Sequence, residues 1–225
     1  MNVRHELLYI GTIAFGLVIS TRYAEWPVNL VCWGIFLEQL RRGGRSERIE
    51  MMTVLAFATP MELFFSEIWL IYEYQRDLMP LYVPVGHWFL YDLGRRLSTH
   101  MTERAALPSI LILLPLVALG AFRGTDTSAA VLMVVVIGFV VRGPEPRLYA
   151  TMVWCALAME LWGTWLGAWR WAAHVPWTNL TAWNPPLLVG GFYALGDLLV
   201  NLTVRWLGPQ EADGPVMISD AVDAA

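Results

Sequence analysis

The amino-acid sequence predicts an all-α, polytopic transmembrane bundle of about eight spans, and three observations carry that prediction. The chain is 57% hydrophobic and 15% charged, with a mean hydropathy of +0.50. That is more apolar surface than a soluble domain of 225 residues can bury. The apolar residues fall into eight runs separated by polar or proline-rich connections. The arginines concentrate at alternate connections, as they do when loops lie on opposite sides of a membrane.

In order, the runs are residues 7–20, 28–40, 51–74, 81–97, 107–122, 127–141, 148–171 and 186–207. An upright span needs roughly 20 residues at about 1.5 Å of rise each. Several runs are shorter than that; runs two and four are the doubtful ones, which leaves seven spans as the alternative count. All fifteen basic residues are arginine. With eight spans and the N-terminus inside, Arg4, Arg41, Arg42, Arg45, Arg48, Arg95, Arg96, Arg104, Arg142, Arg147 and Arg205 are cytoplasmic. Only Arg22, Arg76, Arg123 and Arg170 stand outside. This split predicts an integral membrane protein with an even number of spans and both termini in the cytoplasm.

Residues 1–208 then form a single transmembrane helical domain. Residues 209–225, with four acids and no base, read as an acidic disordered cytoplasmic tail. The first run leads into Thr-Arg-Tyr rather than a small-residue cleavage site, so it reads as a span and not a signal peptide. A net charge of −4 with no basic stripe excludes a nucleic-acid surface. Cys32 and Cys155 both sit in apolar runs, where no disulfide framework is expected.

Charge near the bilayer centre costs several kcal/mol unless it is paired, neutralised or facing a cavity. Glu62, Glu160 and Asp197 meet that condition, at roughly 16, 18 and 16 Å of helical rise from the starts of their runs. They are the candidate catalytic residues. Asp92 differs, because Arg95 and Arg96 follow it by three and four residues and can pair with it. Tyr193 and Asn201 lie four residues either side of Asp197 on one stripe, and Ser66 lies four residues after Glu62. Pro60 is expected to interrupt the helix just before Glu62 and open a carbonyl toward a site. Gly163 and Gly167 share the face of Glu160 at a spacing that permits close helix approach.

His87 with the three acids could furnish a His–carboxylate metal set. No HxxxH or CxxC spacing accompanies it, so the expectation is a hydrogen-bonded histidine and no metal. Nor does the chain carry a GxSxG elbow or a glycine-rich phosphate loop. What remains is acid–base chemistry by carboxyls, without a cofactor, in an apolar cavity walled by Trp162, Trp165, Phe192 and Tyr193. Aromatic faces of that kind stabilise a developing cation. Ser66, His87 and Asn201 complete the candidate substrate-binding set.

The outer connections carry Tyr23, Trp26, Tyr72, Tyr74, Tyr82, Trp169, Trp171, Trp177 and Trp183, for most of which an interfacial belt suffices. Residues 174–184 read as a short surface helix or a cap. The stretches PMELFFSEIWLIYEY and VPVGHWFLYDLG are echoed by AMELWGTWLGAWRW and NPPLLVGGFYALGDL. Glu62 then corresponds to Glu160 and Asp92 to Asp197, a weak parallel repeat of four spans; convergent hairpin patterning is the alternative.

A Glu within TPMELFF and an Asp within YALGDLL of the last span, in a chain of this size, resemble the small integral-membrane terpene cyclases of fungal meroterpenoid and bacterial indole-terpenoid pathways. The resemblance implies that Glu62 and Asp197 act on a polyprenyl substrate, protonating a terminal epoxide or alkene so that the cation closes rings. Eight spans depart from the usual seven of that family. VPVGHWFLYDLG and NPPLLVGGFYALGD also look like uncharacterised bacterial multi-spanning membrane proteins, a likeness that implies no activity.

Two other classes fit the same residues. In a non-catalytic accessory subunit the buried acids would pair with a partner membrane chain; in a proton-coupled carrier, midplane carboxyls and a parallel repeat are expected features. The arginine split generates the first test. Reporter fusions are expected to place the 41–50 loop and the tail after Gly208 on the cytoplasmic side and the 174–184 loop on the other. If tail and 174–184 loop report the same side, the eight-span topology is wrong.

Overall fold

The computed structural model describes residues 3–207, an all-α chain; the predicted acidic tail lies outside the described residues. Its helical stretches follow the apolar runs in order: α1 (Val3–Arg22), α2 (Trp26–Arg42), α3 (Arg45–Leu63), α4 (Val83–Ser98), α5 (Glu103–Leu111), α6 (Leu114–Phe122), α7 (Thr127–Arg142), α8 (Pro146–Leu166) and α9 (Gly190–Leu207). The fifth run is split between α5 and α6 because Pro115 offers no N–H and its ring would clash with the carbonyl of Leu111. Against the eight spans expected, two stretches among the described residues, Arg45–Ile68 and Glu103–Phe122, are long and apolar enough to cross a membrane, and Thr127–Arg142 is a shorter apolar helix.

Three helix ends set the geometry of the centre. The α3 helix runs through Pro60 without interruption, contrary to expectation, and continues into a π-helical turn over Phe64–Ile68. At the end of α8, Gly167 takes the left-handed cap at φ 76° that glycine adopts without strain. Asp126 caps α7 by accepting from the Ala129 amide at 3.1 Å. Its second oxygen accepts from the Leu187 amide at 3.1 Å, which ties the approach to α9 against α7.

Beyond α3 and α8 the sequence-predicted helices stop short. Runs three and seven end instead in two short strands, β1 (Tyr72–Tyr74) and β2 (Trp169–Trp171), which pair antiparallel with Tyr72 opposite Trp171 and Tyr74 opposite Trp169. The period of two buries the four rings and exposes Glu73 and Arg170. Residues 174–184 form no helix; a bridge between His174 and Thr181 closes them into a loop, and the Trp69 indole donates to the Pro176 carbonyl at 2.8 Å.

At the centre, α3 packs against α4 and α9, and α8 packs against the same two helices. The α1 helix lies along α4 and α8, while α5 and α7 flank α8 on its other side. Asp92 is fully buried and accepts from Arg95 Nη2 at 2.9 Å, Arg96 Nε at 2.8 Å and the Tyr9 hydroxyl at 2.9 Å. Arg95 also reaches Glu50, and Tyr9 accepts from Gln39, so this one cluster joins α1, α2, α3 and α4. The expected pairing role of Asp92 is what the geometry shows. Asp92→Asn removes the charge that two arginines face; because those arginines are 38% and 30% exposed and Arg95 keeps Glu50, the cost falls below the about 3–5 kcal/mol of a fully buried pair. A lowered thermal midpoint and yield in detergent are expected, with turnover per folded molecule retained.

Candidate functional site

Under the β1–β2 ladder a cavity of about 230 Å³ lies between the four central helices, with α1 and α2 completing its wall. Glu62, His87, Glu160, Phe192, Tyr193 and Asp197 all line it, so six of the ten sequence-predicted site residues meet in one place. All three candidate catalytic acids are among them.

Glu62 is held from two directions. The hydroxyls of Tyr72 and Tyr74 donate to its Oε2 at 2.6 and 2.5 Å, while Oε1 lies 3.1 Å from His87 Nε2. The other ring nitrogen, His87 Nδ1, is 3.0 Å from the Val83 carbonyl, which can only accept, so Nδ1 carries a hydrogen. A neutral ring would then turn a lone pair toward Glu62. One proton therefore lies between Nε2 and Oε1, on one atom or the other. The sequence-level picture of Glu62 as an uncompensated acid is corrected by this pairing with His87, a partner twenty-five positions further along that no helical periodicity connects to it.

Glu160 is held by a matching device built from different residues. The indole N–H groups of Trp169 and Trp171 donate to its Oε2 at 2.7 and 2.8 Å. The donors follow Glu62 by ten and twelve residues and Glu160 by nine and eleven. The π-helical turn after Glu62 takes up the extra residue, since such a turn is the usual form of a one-residue insertion in a helix. Each glutamate thus accepts from the two inward-facing side chains of the strand that follows its own helix.

Gly163 makes the second device possible. A Cβ there would stand 2.1 Å from the Trp169 ring, so the glycine admits an indole rather than a neighbouring helix. Gly167, the other half of the predicted packing pair, serves as the helix cap.

Asp197 stands apart. It is 3% exposed, and its Oδ2 has no hydrogen-bond partner among the described residues. Asn201 Nδ2, four residues on, has none there either. Tyr193 stacks on His87 with ring centroids 5.7 Å apart and planes at 14°, which brings α9 face to face with α4 across the cavity.

The other predicted residues lie elsewhere. Ser66 donates toward the backbone carbonyl of Glu62 and to Glu67, not to the Glu62 carboxyl. Trp162 bonds the Ala14 carbonyl on α1 at 3.0 Å, and Trp165, 72% exposed, stacks against it on the outer surface. Asn201 is outside the cavity lining. Sequence reasoning missed Tyr72, Tyr74, Trp169 and Trp171, which it assigned to an interfacial belt. The alternation in YEY and WRW was the available signal. Tyr23 and Trp177, by contrast, are largely exposed as a belt requires.

Among the described residues no group of three or more His, Cys, Asp or Glu side chains is arranged to hold a metal ion. No family model, curated protein or solved structure matches the chain, so its function is read from the site itself. The Gly163 contact supplies a test of the site's construction. Gly163→Val is expected to push the Trp169 indole off Glu160 and to cost about 1–3 kcal/mol of stability by overpacking. Melting in detergent, with Gly138→Ala in open space on α7 as the control, reads the difference.

Proposed function

We propose that the protein is a membrane-embedded acid–base enzyme that protonates a lipophilic isoprenoid and lets the cation close rings, as in the terpene cyclases it resembles. The observation that carries the reading is the convergence of Glu62–His87, Glu160 and Asp197 on one cavity walled by aromatic rings. Tyr72, Tyr74, Trp169 and Trp171 roof it, and Phe65, Phe89 and Phe192 form its sides. Such rings favour a carbocation through their quadrupoles.

In this reading the proton between His87 and Glu62 is the one delivered. The two tyrosine hydroxyls keep hydrogen bonds to Oε2 as charge develops there, which stabilises the conjugate base. Asp197, unpartnered on the far helix, takes the proton that the final cation sheds. Glu160, its carboxyl fixed by two indoles, borders the closing rings. At about 230 Å³ the cavity falls below the roughly 300 Å³ of ordinary ligand pockets, so only the reacting end of a polyprenyl chain fits and the remainder extends between helices into lipid.

A polytopic bundle of eight spans in a bacterial cytoplasmic membrane, both termini inside, belongs to the same proposal. Large apolar side chains turned outward on most helices support it, among them Phe15, Leu30, Ile112, Val134 and Leu202. So does the eleven-to-four arginine split. The matched bonding of Glu62 and Glu160 supports a parallel repeat of four spans, with α3, β1 and α4 corresponding to α8, β2 and α9.

Glu62→Gln and Asp197→Asn keep volume and delete the acid, so turnover of epoxidised or plain polyprenyl substrates is expected to fall 10²–10⁴-fold, roughly the range for lost acid–base catalysis. Product formation by monodisperse protein is the measurement. Full activity in both variants, or no reaction of any polyprenyl substrate with folded native protein, removes the cyclase reading and puts the accessory-subunit reading in its place.

A further inference from the structure

The cavity's acids lie on two polar stripes that continue beyond it. On α4, His87, Tyr91 and Arg95 follow one another at four-residue intervals; on α9, Tyr193, Asp197 and Asn201 do the same. Residues so spaced share a helix face about 6 Å apart along the axis. Because His87 stacks on Tyr193, the next turn of each helix sets Tyr91 against Asp197, and both line the cavity. One turn further stand Arg95 and Asn201. Arg95 lies over the Tyr91 ring at 5.9 Å and pairs with Glu50, and both of these ion-paired groups are partly exposed at that end of the bundle.

Most of this stripe lies within packed helices, where unpaired polar atoms are costly. Yet Asp197 Oδ2 and Asn201 Nδ2, one turn apart on α9, are buried without a partner among the described residues. Tyr91 and Asp197 both line the cavity and make no direct hydrogen bond to each other, so a proton passing between them travels through water. Structural packing does not require two such orphans one turn apart on a single stripe. A line of water-bridged stations does.

We propose that these stripes form a water-bridged proton path joining the Glu62–His87 pair to the end of the bundle that carries Glu50 and Arg95, with Asp197 as its middle station. The proposal rests on the acid–base reading of the cavity and adds how that site is reloaded. A proton from solvent passes to Glu50 and on, through water held by the Asn201 amide, to the Tyr91 hydroxyl, which accepts one hydrogen and releases another. It crosses to Asp197 and returns to the gap between His87 Nε2 and Glu62 Oε1. The proton shed by the product cation leaves Asp197 by the same stations in reverse. Only O–H and N–H bonds form and break, one proton enters and one leaves per cycle, and Arg95 stays charged throughout.

The test needs no substrate. Full-length protein in lipid nanodiscs is moved from H₂O to D₂O, and the infrared carboxyl band that Asp197→Asn removes is followed in time. Tyr91→Phe and Asn201→Leu are expected to slow its exchange by about tenfold or more each, the rate cost of ~1.4 kcal/mol at one lost station. Tyr149→Phe, on α8 and off both stripes, is expected to change it far less. An exchange rate that neither Tyr91→Phe nor Asn201→Leu alters overturns the path, as does the absence of any band assignable to Asp197. If Tyr91→Phe does not fold, Asn201→Leu decides alone. Unchanged exchange in protein that cyclises substrate removes the path and leaves the enzyme; slowed exchange in protein that converts no isoprenoid leaves the path and removes the cyclase.

Discussion

Two glutamates buried in an apolar bundle must be given hydrogen-bond donors, and the organisation of the centre is set by how that is done. The donors come from β1 and β2, which exist only because α3 and α8 end at the same end of the bundle and their continuations can pair. Pairing turns Tyr72 and Tyr74 inward over Glu62, and Trp169 and Trp171 inward over Glu160. Without the ladder the two carboxyls would face hydrocarbon. Without the carboxyls, two phenols and two indoles would be buried with their polar atoms unused. Each half satisfies the other, and together they roof the cavity.

The acids of this chain sort into kinds by their partners. Asp92 has two arginines and a tyrosine, and its cluster welds four helices at one end of the bundle. Glu62 has a histidine and two phenols, a set that can both hold and release a proton. Glu160 has indoles, which hold a charge but do not exchange protons under ordinary conditions. Asp197 faces the cavity, and its Oδ2 has no partner among the described residues. A gradient from fully paired to unpaired is what a site needs if some acids are to fix the fold and others are to change protonation during turnover.

The comparison of Glu62 with Glu160 shows how related scaffolds acquire different chemistry. Both sit after a methionine in a central helix, and both accept from the inward pair of the following strand. Tyrosine in one strand and tryptophan in the other alter what the donors can do while leaving the hydrogen-bond pattern intact. The π-helical turn keeps the register despite one more residue between Glu62 and its donors. His87 then breaks the equivalence, because it adds a titratable partner to Glu62 alone.

Much of the architecture was legible in the sequence by itself. Apolar runs located the helices, since a backbone that has to satisfy its own polar groups among apolar neighbours forms helices. Charge isolated in such runs marked Glu62, Glu160 and Asp197, and four-residue spacing marked Asp92 with its arginines and Tyr193 beside Asp197. These are local signals, readable within a turn or two of one helix. What only the tertiary structure decided were the contacts between segments distant in the chain. Nothing within one helix indicates that His87 meets Glu62, that Trp165 faces outward, or that YEY and WRW pair as strands. A three-residue strand has no stability of its own and forms only when a partner lies alongside. The inward turn of those aromatic rings was therefore set by the meeting of the two segments that follow α3 and α8.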